Sequence, residues 1–194
     1  MPPSTDHDAR RRAIAHAVWA TVSEHGIEGT TMRRVAAAGS ISVGRIQHYF
    51  PSREEMLRFS CRAMVDLAAT TSAPAGDASS APTGSAAELG GSWDQVRTLL
   101  GRSFDQSTPF RLGARVWAAF VAHSVVDAHI ADVVVQAQTG LEDEVARLLG
   151  HAGHDPEGAR HLVALADGLA LRTLTGALTT DEAVRELDLA LARA

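Results

Sequence analysis

TTMRRVAAAGSISVGRIQHYFPSREEML, residues 30–57, decides how this chain folds. Thr30 or Thr31 can cap a helix whose Met32, Val35 and Ala36 face inward. Gly39-Ser40 interrupts that helix, and Ser42 caps a second short one that ends at Phe50 and Pro51. Ser52-Arg53-Glu54-Glu55 then forms a capping box for the next helix. A helix, a tight turn and a second helix between Thr31 and Phe50 is helix-turn-helix spacing.

On a helical wheel the second helix divides cleanly. Val43, Ile46 and Phe50 fall on one side and can anchor it; Gly44, Arg45, His48 and Tyr49 fall largely on the other, with Gln47 at the border. The outer face suits a DNA groove. Arg45 has a forked donor that matches guanine O6 and N7, and Gly44 has no side chain to keep a duplex away. His48, Tyr49, Thr31 and Ser42 can donate to phosphate oxygens, and Arg53 can clamp the backbone from the side. The competing reading is a solvated surface helix with Tyr49 packed against the first helix.

The rest of the chain also reads as helix. The balance of residues, with 45% apolar and only 5% aromatic, favours helices over sheets. Residues 1–8 are expected to be a disordered lead. The first helix is expected from Ala9 to His25, with Ile14, Ala17, Val18, Thr21 and Val22 on its buried face and Gly26 ending it. Arg10, Arg11 and Arg12 then sit at its start, against the helix dipole, either because an anion lies nearby or as a solvated charged end. The fourth helix carries Met56, Leu57, Phe59, Cys61, Met64, Val65 and Leu67 and fades after Thr70. Residues 71–92, TSAPAGDASSAPTGSAAELGGS, cannot bury much area and read as a flexible loop. Further helices are expected over 93–106, 110–128, 130–150, 156–176 and 182–192, the last capped by Thr179 with Glu182 three residues on. The expected fold is therefore all-α, with about nine helices. Its domains are a helix-turn-helix domain at 9–52 and a helical body at 53–194.

Charge is uneven. The net value is −5, yet residues 1–62 hold nine arginines against six carboxylates and residues 63–194 nine against seventeen. A basic head on an acidic body orients toward a polyanion. The one cysteine, Cys61, rules out an internal disulfide and a cysteine-rich metal site, and its apolar setting predicts a buried thiol. No signal-peptide pattern follows the N-terminus and no run approaches ~20 apolar residues, so a cytoplasmic protein is expected. No cofactor is called for. No glycine-rich phosphate loop or nucleophile-and-base set appears, so no catalytic residue is assigned. His151, His154 and Asp155 are the single suggestive metal cluster, and no metal site is assigned there.

Residues 30–57 resemble the N-terminal domain of the TetR family of transcriptional regulators. The resemblance rests on the threonine-rich start, on Val35-Ala36, and on the ending Tyr49-Phe50-Pro51-Ser52-Arg53-Glu54. It places the family's recognition positions on Ser42, Val43, Gly44, Arg45, Gln47, His48 and Tyr49. Arg53 stands where the family has a phosphate-contacting lysine. The chain departs from the pattern at three places. Gly39-Ser40 replaces Ala-Gly in the turn, Gln47 replaces a tyrosine, and Arg45 replaces a small residue, usually threonine.

The resemblance implies a ligand-responsive repressor that binds a palindromic operator as a dimer through residues 42–50 and is released by a small molecule. HLVALADGLALRTLTGAL, residues 161–178, has more apolar surface than one internal neighbour would cover. Helices at 156–176 and 182–192 are therefore expected to pair across a two-fold axis as a four-helix bundle. The implied effector pocket lies in the body, and Trp93, Phe104, Trp117, Phe120, His123 and Gln136 are its candidate contacts. The alternative is a dimeric small-molecule- or partner-binding protein whose DNA-reading helix has degenerated.

Overall fold

The computed structural model describes residues 4–72, 86–104 and 108–193. Among them are nine α-helices and no strand. They run α1 (Ser4–Gly29), α2 (Met32–Ala38), α3 (Val43–Tyr49), α4 (Arg53–Ser72), α5 (Ala86–Gly101), α6 (Thr108–Ser124), α7 (Ala128–His151), α8 (Ala159–Leu174) and α9 (Thr180–Leu191). Short 3₁₀ turns at Arg102–Phe104 and Pro156–Gly158 follow α5 and precede α8.

The expected caps form. Thr31, Ser42 and Thr179 each accept an N–H from the third residue of the helix they precede, and Thr179 with Glu182 completes a reciprocal capping box. At Ser52 one half of the expected box is seen, the hydroxyl accepting the Glu55 N–H at 3.1 Å. Two expectations fail at helix starts. Ser4–Asp8, expected in a disordered lead, are already helical; 1–3 lie outside the described residues. Arg10–Arg12 therefore sit in the interior of α1, and a dipole at its start no longer explains them. Of the loop expected over 71–92, residues 71–72 and 86–92 are helical instead, because α4 runs to Ser72 and α5 begins at Ala86; 73–85 lie outside the described residues.

The chain forms two compact units, residues 1–71 with 115–134, and residues 72–114 with 135–194. In the first unit Ile14, Val18 and Val22 of α1 meet Val35 of α2, Ile46 and Phe50 at α3, and Met56, Leu57 and Cys61 of α4. The same core holds Val116 and Phe120 of α6 and Ile130 and Val133 of α7. The start of α4, expected to belong to the body, thus belongs to the core that supports α3. The buried Trp19 indole donates to the Ser60 carbonyl at 3.0 Å and ties α1 to α4. Burial pushes the Cys61 thiol up to about 12, so it stays protonated and inert at neutral pH.

The second unit is built on Val96 and Leu100 of α5, Phe104, Val145 and Leu149 of α7, Leu162, Val163 and Leu169 of α8, and Leu187 and Leu191 of α9. A two-pronged ion pair from Arg97 to Asp188, at 2.6 and 2.9 Å, fastens α5 to α9.

Candidate nucleic-acid interface

The turn before α3 is the feature on which its aim depends. Gly39 ends α2 with its N–H on the Val35 carbonyl, and Ile41 N–H returns to the Ala36 carbonyl at 2.9 Å. A Cβ on Gly39 would stand 3.2 Å from the Ala17 methyl of α1 and 3.3 Å from the Val35 oxygen. Glycine therefore serves close approach at 39, and the left-handed step falls on Ser40, at φ 52°.

Ile46 and Phe50 are fully buried, and Val43 and Tyr49 are half-buried against the same core. Ser42, Gly44, Arg45, Gln47 and His48 are exposed. The wheel reading of α3 is thus reproduced, with Tyr49 drawn partly inward. Its ring lies 5.1 Å from His48, edge-on, and 5.0 Å from His7 at the start of α1. A Cβ at Gly44 would meet nothing within 4 Å, so the backbone there is open to a large ligand. Arg45 forms no side-chain hydrogen bond or ion pair with the described residues. The hydroxyls of Thr31 and Ser42 accept the capping N–H groups and keep their own protons to donate.

Arg53 stands apart. It was expected to reach a phosphate, yet its Nε donates to the Thr30 carbonyl at 2.7 Å and an Nη to the Ile27 carbonyl, with the other Nη 3.8 Å from Glu54. Arg11 lays its guanidinium over Phe59 at 4.1 Å and Phe50 at 5.0 Å. It pins the end of α3 to α1 and α4. Three arginines in the run at 10–12 signalled a role but could not say which one turns inward.

The six candidate effector contacts are divided between the units. Trp117, Phe120 and His123 lie in the first, where Phe120 is fully buried and His123 Nδ1 is 3.6 Å from Glu28. Trp93, Phe104 and Gln136 lie in the second: Trp93 stacks on His154 at 4.2 Å, Phe104 is fully buried and Gln136 is exposed. Neither unit alone gathers all six. His154 stacks on Trp93 and His151 Nδ1 meets the Arg147 carbonyl, and no group of three or more His, Cys, Asp or Glu among the described residues could hold a metal.

In the second unit α8 and α9 frame a surface groove of about 580 Å³ lined by His161, Leu165, Glu186, Leu189 and Arg193. Leu171 and Leu189 are 57% and 50% exposed on these helices. No described helix is long and apolar enough to cross a membrane.

Residues 14–58 match the family model for bacterial regulatory proteins of the tetR family, and residues 93–194 match that for the C-terminal region of BetI-type transcriptional repressors. The HTH-type transcriptional regulator PksA of Bacillus subtilis is 39% identical over 62 residues, 32% of this chain and 30% of that protein. The HTH-type transcriptional regulator BetI of Burkholderia mallei is 28% identical over 177 residues, 89% of this chain and 85% of that protein. A putative transcriptional regulator from Saccharomonospora viridis, solved in complex with choline, shares the fold with a TM-score of 0.77 at 22% identity, over 93% of this chain and 94% of that one. The helical fold, the exposed polar face of α3 and matches to family models over residues 14–58 and 93–194 lead to one conclusion: it belongs to the TetR family of transcriptional regulators, a non-enzymatic class.

Proposed function

We propose that this chain is a cytoplasmic repressor that binds a palindromic DNA operator as a homodimer and leaves it when a small molecule binds the C-terminal helices. The exposed face of α3, held by buried Ile46 and Phe50, is the observation that carries the reading. Arg45 and Gln47 are the proposed readers of base edges, with guanine and adenine as their partners. Gly44 allows close approach beside the half-buried Val43, and Thr31, Ser42, His48 and Tyr49 hold phosphates. The second copy is proposed to pair through α8 and α9, whose outward Leu171 and Leu189 need cover.

The effector acts only if it binds the operator-bound and free states unequally. Its proposed contacts come from one of two sets, Trp93, Phe104 and Gln136 in the second unit or Trp117, Phe120 and His123 in the first. The choline complex of the S. viridis protein makes small organic cations the first class to screen.

Selection of duplexes from a random-sequence pool, followed by gel shift across a salt series, tests the reading. A palindromic consensus whose binding falls steeply with salt is expected. Arg45→Ala should lose about 1–3 kcal/mol of discrimination at one base position per half-site while retaining binding to unrelated DNA. No enriched duplex, or no effect of that substitution, would favour the dimeric binding protein with a degenerate DNA-reading helix. The formed turn at Gly39-Ser40 argues against that alternative.

A further inference from the structure

α1 does not end cleanly. It breaks at Gly26, at φ 70°, and Ile27–Gly29 follow as one more helical turn before Thr31 starts α2. The carbonyls at such an exit are the negative end of a helix and lack the donors that the helix interior supplies, although Ile27 also accepts the Thr30 N–H at 3.0 Å. Two arginines from later in the chain cover them. Arg34 of α2 donates to the Gly29 carbonyl at 2.6 Å, and Arg53 donates to the carbonyls of Ile27 and Thr30. Gly29 is shaped for this, since a Cβ there would lie 3.2 Å from the Arg34 guanidinium and 2.9 Å from the His25 Cβ.

The position of Arg53 makes the contact more than a cap. It is the first residue of α4, three beyond Phe50 at the end of α3, while Ile27 and Thr30 lie four residues and one residue before the cap of α2. Its side chain therefore closes the segment from Thr30 to Arg53 into a ring that contains both helices of the helix-turn-helix. α3 has only seven residues and cannot set its own direction. We infer that Arg53 is a positioning residue that fixes the aim of α3 by clasping the α1–α2 junction, and not a phosphate contact. The inference rests on the proposed DNA-reading role of α3. A lysine carries the same charge but not the flat fork that spans two carbonyls, so arginine is required here.

The test compares wild type, Arg53→Lys, Arg53→Ala and Arg45→Ala on a duplex enriched from a random pool by the wild-type full chain, at a temperature where circular dichroism shows all four folded. Arg53→Lys should bind that duplex roughly tenfold more weakly, the scale of losing one or two hydrogen bonds. Its slope of log affinity against log salt, and its binding to a scrambled duplex, should match wild type. Wild-type affinity in Arg53→Lys would overturn the inference. So would a salt slope smaller by about 0.9 in Arg53→Ala, the sign of one lost phosphate contact. Amide exchange decides the clasp without DNA. Residues 31–35 and 43–49 should exchange faster in Arg53→Lys while 183–191 stay as in wild type, and unchanged protection at 31–35 would overturn it. If the pool yields no duplex or Arg45→Ala binds normally, the DNA reading fails by itself, and the exchange result still stands or falls separately.

Discussion

Ser40 carries a backbone angle that a glycine would hold more easily. A left-handed conformation costs an L-residue roughly 1–2 kcal/mol, whereas a new glycine loses about 0.5–1 kcal/mol through the freedom of the unfolded chain. The first effect is the larger, so Ser40→Gly should stabilise the protein by about 0.5 kcal/mol, read as a higher urea midpoint at constant slope. Serine at 40 marks the difference between what a residue type prefers and what its neighbours impose. Ile41 N–H on the Ala36 carbonyl and Gly39 against Ala17 leave the chain no other path. Arg45 shows the opposite case, since its side chain is exposed as the wheel position expects and the role proposed for it rests on residue type and that position alone.

At the scale of elements, the start of α7 is the joint to examine. Asp127 caps it, accepting the His129 and Ile130 N–H groups at 3.0 and 3.2 Å, and also accepts the Arg58 guanidinium of α4 at 3.3 Å. Burial raises the carboxyl, but the Ile130 N–H, Arg58 and the His129 N–H outweigh it and hold Asp127 below the usual aspartate range. A carboxylate depressed in the folded state contributes stability that is complete above its unfolded value, 3.8, and is lost as pH falls through its folded one. Wild type should therefore lose more stability than Asp127→Asn between about pH 5 and pH 3, measured by urea titration at each pH. At neutral pH Asp127→Ala should cost about 1–2 kcal/mol, because the cap and the charge-assisted bond go together.

For the whole molecule the proposed dimer is the feature with the largest consequence. Half-sites lie about one turn of DNA apart, roughly 34–36 Å or a near multiple, so one subunit alone contacts half an operator. Leu189→Glu places a charge in the middle of the proposed α8–α9 contact. The expected result is a monomer by analytical ultracentrifugation and operator affinity lowered by at least about tenfold, because the second half-site no longer binds as part of one molecule. An unchanged dimer would move the contact to another face.

The sequence by itself determined what depends on near neighbours. Periodicity set nearly every helix, side-chain oxygens at 31, 42 and 179 set where three of them start, and the spacing from Thr31 to Phe50 set the motif. Those features form because caps and amphipathic stripes act within a few residues along the chain. Tertiary structure alone decided which polar groups are spent inside. Arg53 meets carbonyls 23 and 26 residues away, Arg11 meets the rings of Phe50 and Phe59, and α4 joins the core beneath α3. A guanidinium can serve a phosphate, a carbonyl or an aromatic face equally well, and only the packed chain determines which of them is within reach.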